Sequence, residues 1–314
     1  MLPAPRLFTA SAAQRTIAVV GDAWSLRILR TIFRGKRRYG DFVQAFGVSR
    51  AVLTDRLGKL VDHGVLLRDV ADGRHPQYRL TEQGLDLWTL FLGMWLWESD
   101  WGTATDPDTW APDLPRARVS HRDCGHAMRP RLLCTHCLTD VLPFDTRAEN
   151  SQTIGLEGQS SSPAPASAFR RARQTLPAGN DPIAPSQRLV RVVGDRWNGA
   201  VVAAAFRGTR LFSKFQEELE IGPTQLSARL NELQQLGILR AHAYAGVRQE
   251  YRLTRAGIAL FPITLEMMRW GRRWLMSDQD DLTLRHLPCD QTLIARWHCG
   301  HCTKPLLRES VAFS

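Results

Sequence analysis

The sequence offers no apolar run of the roughly 18 residues that a membrane-spanning helix requires, and its start, Met1-Leu2-Pro3-Ala4-Pro5-Arg6, leads into no signal-peptide-like stretch. The reading is a cytoplasmic chain without membrane contact. Cysteine is scarce: six residues in 314, none before Cys124, which does not suit a disulfide-stapled secreted scaffold. Also missing are a nucleophile elbow, a phosphate-binding glycine loop, a dinucleotide fingerprint and an HExxH pair, so no enzyme is expected. Acidic residues are in deficit, 31 against 41 Lys and Arg, giving a formal charge of +10 and a pI near 9.9. Such a balance favours a polyanionic partner, because each cation that meets a phosphate releases a condensed counterion.

What the chain does have is an internal repeat. Val20-Gly21-Asp22-Ala23-Trp24 returns as Val193-Gly194-Asp195-Arg196-Trp197, and the register then holds without a gap. Phe33-Arg34-Gly35 matches Phe206-Arg207-Gly208, Arg56-Leu57 matches Arg229-Leu230, and Tyr78-Arg79-Leu80-Thr81 matches Tyr251-Arg252-Leu253-Thr254. Between the copies a stretch rich in Ser, Pro, Ala and Gly, centred on Ser160-Ser161-Ser162-Pro163, has the composition of a linker. The expected division is a first winged helix-turn-helix domain over 1–103, a zinc-binding segment over 104–145 and a flexible linker over 146–187. A second winged domain over 188–276 and a second zinc-binding segment over 277–314 complete it.

Within the first copy, Ile17, Val20, Trp24, Ile28, Ile32 and Phe33 recur at helical spacing, which predicts two short helices hinged near Gly21 and ending by Gly35. Tyr39 to Phe46 makes a third. Ser49 can cap a fourth running to about His63, with Leu53, Leu57 and Leu60 on one face and Ala51, Thr54, Asp55 and Gly58 outward. Gly64 stops that helix, and Val65–Val70 and Gln77–Leu80 read as a hairpin wing. Thr81 then caps one last helix through Trp97, apolar on too many sides to face water alone. The second copy repeats the plan, with Phe212–Leu219, a recognition-type helix over Pro223–Leu236, a hairpin over Ile238–Leu253 and a closing helix over Ile258–Leu275. The fold class is mainly α with small β wings, an α+β tandem. The two closing helices are expected to pack on each other, giving one chain the pseudo-twofold of a dimer.

The run from Val20-Gly21-Asp22-Ala23-Trp24 through Arg38-Tyr39, Leu53-Thr54-Asp55-Arg56-Leu57, Gly64-Val65-Leu66 and Tyr78-Arg79-Leu80-Thr81 resembles the HxlR-type winged helix-turn-helix regulators, relatives of the MarR group. The second copy resembles them too, ending in Trp270-Gly271-Arg272-Arg273-Trp274. The resemblance implies a homodimeric bacterial transcriptional regulator that binds double-stranded DNA, with a recognition helix in the major groove and the wing along the minor groove or backbone; a repressor is expected, with the sign of control left open by the sequence. Two departures follow: the unit occurs twice, as a homodimer or an intramolecular pseudo-dimer, and the cysteine with which some members sense electrophiles before the first helix is absent.

With the fourth helix in the major groove, its first turn reaches base edges through Ser49, Arg50, Ala51 and Thr54, and in the second copy through Thr224, Gln225 and Ser227. The basic run Arg34, Lys36, Arg37, Arg38 and the wing residues Arg74, His75 and Arg248 suit phosphate. A solvated charged turn is the plainer reading of that run. Arg56 and Arg229 hold one position in both copies and are read as pairing with an acid inside the domain. The second copy carries Gly222-Pro223 where the first has Ser49-Arg50, so the copies are expected to differ in what they read.

All six cysteines fall in two segments of identical spacing, His121-x2-Cys124-x9-Cys134-x2-Cys137 and His286-x2-Cys289-x9-Cys299-x2-Cys302. Three thiols and an imidazole suit closed tetrahedral zinc, a structural ion and not a catalytic one, two per chain with one in each segment. His126, His136, His298 and His301 are alternative ligands. Redox or metal sensing through these thiols, and a protein-interaction adaptor without DNA, stay open as second readings.

Overall fold

The computed structural model describes residues 12–69, 76–102, 108, 119–150, 187–244, 248–276 and 282–313. The first half opens with α1 (Ala12–Val20) and α2 (Ala23–Phe33), separated at Gly21-Asp22 because the Asp22 carboxylate accepts from Trp24 N and Ser25 N, each at 3.1 Å, and so starts a new helix. Next come α3 (Tyr39–Phe46) and α4 (Arg50–Asp62), whose N-cap Ser49 accepts from Val52 N at 3.4 Å. Leu53, Leu57 and Leu60 of α4 are fully buried. Strands β1 (Leu66–Asp69) and β2 (Gln77–Leu80) pair antiparallel with Leu66 opposite Leu80. The single closing helix expected from Thr81 is instead two, α5 (Glu82–Leu85) and α6 (Trp88–Trp101). A short strand set follows: β3 (Val119–His121), β4 (His126–Ala127), β5 (Pro130–Cys134) and β6 (Thr146–Asn150). The last of these takes the first five residues of the expected linker, whose residues 151–186 lie outside the described residues.

The second half runs α7 (Gln187–Val193), α8 (Arg196–Phe206), α9 (Phe212–Leu219), α10 (Pro223–Gln235), β7 (Leu239–Tyr244) and β8 (Arg248–Leu253). Its closing helix is likewise split, into α11 (Arg255–Ile258) and α12 (Phe261–Leu275). Here the reason is visible: Pro262 stands in the first turn of α12, where a missing N–H costs nothing, and it cannot continue α11. The chain ends in β9 (Leu282–His286), β10 (Gln291–Thr292), β11 (Ala295–Cys299) and β12 (Val311–Phe313). Among the described residues no helix is long and apolar enough to cross a membrane.

The halves touch through contacts that recur at matched repeat positions. Trp97 Nε1 donates to the Ala256 carbonyl at 2.8 Å, and Trp270 Nε1 to the Gln83 carbonyl at 2.8 Å. The Gly21-Asp22 and Gly194-Asp195 hinges meet so closely that a Cβ on Gly194 would stand 2.4 Å from Gly21 O. Helix α1 lies on α12, where Thr16 Oγ1 donates to Met267 O at 2.8 Å and a Cβ on Gly271 would stand 2.2 Å from Ala12 O. The closing helices pack on each other as well. Between them, Arg269 of α12 donates to both oxygens of Asp86, just before α6, at 3.0 and 2.9 Å and to Thr89 Oγ1 of α6 at 2.8 Å, while Glu266 on its own helix accepts from it at 2.7 Å.

The two strand sets interleave. Strand β5 pairs with β11, β6 with β9 and β3 with β12, so three of the five pairings join a strand after the first winged unit to one after the second. Loop bonds repeat the exchange: Gly300 N donates to Arg129 O at 3.1 Å, and Thr135 N to Ile294 O at 2.8 Å. The module's small core of Val119, Leu132, Trp297, Leu306 and Val311 takes in Leu92, with Trp88, Trp95 and Leu96 of α6 packed on it. That contact accounts for a helix apolar on more than one side.

Candidate nucleic-acid interface and Cys/His centres

In the first winged unit the base-reading candidates Ser49, Arg50, Ala51 and Thr54 all stand exposed at the first turns of α4. The Tyr39 hydroxyl lies 3.2 Å from both Arg50 O and Thr54 Oγ1, which braces the start of the helix against α3. The turn before α3 carries Arg34, Lys36, Arg37 and Arg38 with exposed side chains. Its backbone is held from two sides: Arg38 N donates to Asp41 Oδ2 at 3.0 Å, and Tyr78 N of the wing donates to Arg37 O at 2.8 Å. Four cations are thus presented on a fixed backbone beside α4, an arrangement chemically suited to phosphate. The wing residues Arg74 and His75 lie outside the described residues.

The second unit presents Thr224, Gln225 and Ser227 on the exposed side of α10. Arg248 opens β8 with its backbone opposite Tyr244. The surroundings differ from the first unit in a way sequence inspection passed over. Where the first copy has Gln44, Ala45 and Gln77, the second has Glu217, Glu218 and Glu250. Glu218 accepts from Arg207 Nε at 2.9 Å and from Thr209 Oγ1 at 2.5 Å, Lys214 pairs with Glu217 at 2.8 Å, and Glu250 accepts from Arg252 at 2.6 Å. Lys36 and Arg38 have become Thr209 and Leu211. The acids could have been found by laying one copy on the other and comparing charge position by position.

Arg56 and Arg229 face inward to the hinge carboxylates, Arg56 Nε at 3.4 Å from Asp22 and Arg229 Nη1 at 3.2 Å from Asp195. Lys59 also approaches Asp22, at 3.9 Å. Burial pushes the Lys59 amine below its usual value despite that carboxylate. These cations are half-buried and tie the recognition-type helix to the hinge.

The eight metal-ligand candidates form two groups, and the grouping corrects the expectation of one site per segment. His121 and Cys124 meet Cys299 and Cys302, while Cys134 and Cys137 meet His286 and Cys289. Each centre therefore takes a His-x2-Cys knuckle from one segment and a Cys-x2-Cys knuckle from the other. The interleaved strands impose this: β5 leads to Cys134 and β11 to Cys299, and pairing them antiparallel carries each knuckle to the other segment's histidine. Cys302 Sγ lies 3.3 Å from His121 Nδ1, and His286 Nδ1 lies 3.4 Å from both Cys137 Sγ and Cys289 Sγ. The sulfur pairs Cys124–Cys299 and Cys134–Cys289 stand 4.0 and 3.9 Å apart, and within each centre all four donor atoms lie within 4.8 Å of one another. A disulfide would need about 2.05 Å. Both histidines are fully buried, whereas His136 is exposed and buried His298 faces Arg296 O at 3.0 Å. His126 and His301 stack at 3.8 Å on the exposed side of the first centre, within reach of Cys124.

The comparisons with known proteins bear on the winged units. A family model described as HxlR-like helix-turn-helix matches residues 19–106 and 192–279, more than half of the chain. The chain belongs to that family. HxlR-like relatives include Rv3095 of Mycobacterium tuberculosis, an uncharacterised HTH-type transcriptional regulator 35% identical over 136 residues, 43% of this chain and 82% of the relative. Another is sll1512 of Synechocystis, also an uncharacterised HTH-type transcriptional regulator, 35% identical over 28% of this chain and 67% of its own length. The crystal structure of PA1607, described as a candidate transcription factor, is 33% identical and covers 40% of this chain and 89% of that one, with a TM-score of 0.37. Family and relatives are transcriptional regulators, not enzymes.

Proposed function

We propose that this HxlR-like chain is a sequence-specific DNA-binding repressor in which the two halves of one chain take the places of two subunits. One observation carries the reading: the exposed first turn of α4, bearing Arg50, stands beside a four-cation turn whose backbone is fixed by Asp41 and by the wing. The reciprocal bonds Trp97 to Ala256 and Trp270 to Gln83 support the view that one chain is the binding unit. Repression is the sign of control expected of a protein that occupies promoter DNA and so excludes polymerase.

The acids around Arg207, Lys214 and Arg252 favour unequal roles, with the first copy supplying base and phosphate contacts and the second supplying few. In fluorescence anisotropy with DNA from the chain's own promoter, Arg50→Ala is expected to weaken binding about 5- to 150-fold, the worth of one bidentate base contact. Gln225→Ala is expected to change it less than threefold. Equal losses would remove the asymmetry. No salt-dependent complex with any promoter fragment, by a protein whose far-ultraviolet spectrum shows it folded, would transfer the reading to a protein-interaction adaptor.

A further inference from the structure

Metal coordination is the chemistry in this molecule that DNA binding leaves unused. We propose that the chain binds two zinc ions, each shared between the two halves, so that the ions cross-link the repeat. One centre is His121, Cys124, Cys299 and Cys302; the other is Cys134, Cys137, His286 and Cys289.

The donor geometry fits. Zinc held at about 2.3 Å by thiolates and about 2.0–2.1 Å by imidazole places tetrahedral sulfurs about 3.8 Å apart and nitrogen about 3.5 Å from sulfur. The sulfur pairs lie at 3.9 and 4.0 Å and the nitrogen–sulfur contacts at 3.3 and 3.4 Å. Three thiolates and one imidazole are soft enough to select zinc over magnesium or calcium, and four protein ligands leave no open position. Supporting groups are in place around the first centre. His301 N and Cys302 N point at Cys299 Sγ from 3.4 and 3.5 Å, as amides do toward a metal-bound thiolate, and the Asp123 carboxylate stands 3.5 Å from His121 Nε2, the nitrogen facing away from the sulfurs. At the second centre the His286 ring is fully buried, with Nδ1 committed to the two sulfurs.

The identical spacing of the two segments makes two wirings chemically equivalent, and paired double variants of the full chain separate them. Zinc is counted by native mass spectrometry. The wild type is expected to hold two ions. Cys124→Ser with Cys299→Ser removes two ligands from one shared centre and leaves one ion; Cys124→Ser with Cys134→Ser damages both centres and leaves none. Sites confined to single segments give the reverse result, none and one, and overturn the proposal, as does a wild type without zinc. A folding defect in the variants is bypassed with wild-type protein loaded with cadmium-113. One metal resonance is expected to correlate with the β-protons of Cys134, Cys137 and Cys289, the other with those of Cys124, Cys299 and Cys302. A single resonance coupled to both Cys124 and Cys134 refutes the shared wiring. Coupling to the ring protons of His126 or His301 in place of His121 refutes the ligand set.

Discussion

Asp22 and Asp195 each do two jobs with one side chain. Each ends one helix by capping the next, and each receives an arginine from the recognition-type helix, Arg56 or Arg229. Asp22→Ala is expected to lower stability by about 1–2 kcal/mol, the loss of a cap that is also a half-buried acceptor, measured by urea denaturation. A change under a few tenths would mean that Ser25 and water replace the carboxylate. Glu232 shows the same economy in the second half. Burial raises its pKa, but hydrogen bonds from Arg191, Asn198 and Arg229, with the charge of Arg191, outweigh burial and leave the carboxyl below its usual value. Because the folded value is depressed, the stabilisation is present above the unfolded value of about 4.3 and is lost as pH falls through the folded one. The gap in denaturation midpoint between wild type and Glu232→Gln should therefore be full at pH 7 and close on acidification. A gap independent of pH would assign it to packing. The pairing of Arg56 and Arg229 was legible in the sequence because both sit at one repeat position beside a repeated Gly-Asp. The partners of Glu232 were not, since Arg191 lies on another helix and only folding brings it near.

At the scale of the element, helices α1 to α4 and the hairpins follow their caps and apolar spacing almost residue for residue, whereas the closing helix breaks where the spacing gives no sign. Periodicity cannot register the break after Leu85, because a segment apolar on more than one side has no phase to interrupt. What decides it is the lock of α5 on the wing, where a Cβ on Gly84 would come within 2.2 Å of Val65 O. At the junction of α5 and α6, Arg269 of α12 bridges Asp86 and the buried Glu266 of its own helix, and the matched position in the first copy is Leu96, which cannot. Its pKa is raised: burial opposes the charge, but Glu266 and Asp86 overcome it. Arg269→Met removes the main cation from two acids, which keep only Trp274, Arg273 and Thr89 as partners, and is expected to cost about 3 kcal/mol. Combining it with Glu266→Gln and Asp86→Asn should recover much of that loss; no recovery would mean that the arginine's stem, not its charge, holds the helices.

For the whole molecule, the decisive property is that two copies of one plan have diverged in charge while keeping their shared frame. If the first copy carries the phosphate contacts, Lys36→Ala should reduce the slope of log affinity against log salt by about 0.9, one released counterion. Arg207→Ala, whose guanidinium already serves Glu218, should leave the slope unchanged. Equal reductions would show that both copies grip the backbone. The tandem plan was readable because its register never slips, but the joint β module was not. Each Cys/His segment is complete in itself as a ligand list, and nothing in either segment announces that its strands pair with those of the other. The cue is spatial: β5 and β6 find their strand partners across the chain, and β3 pairs there with β12 besides its local partner β4.

That interleaving has a consequence for synthesis. His121 and Cys302, joined in one of the proposed zinc centres, are separated by 181 residues, so at translation rates of about 5–20 residues per second the first Cys/His segment waits on the order of 10–40 s for the second. During that interval Cys124, Cys134 and Cys137 sit on a nascent chain with only half of each donor set, open to oxidation or to the wrong partner. If the two proposed zinc centres form, ribosome-bound chains stalled before Cys289 should react fully with a maleimide that leaves the finished protein untouched.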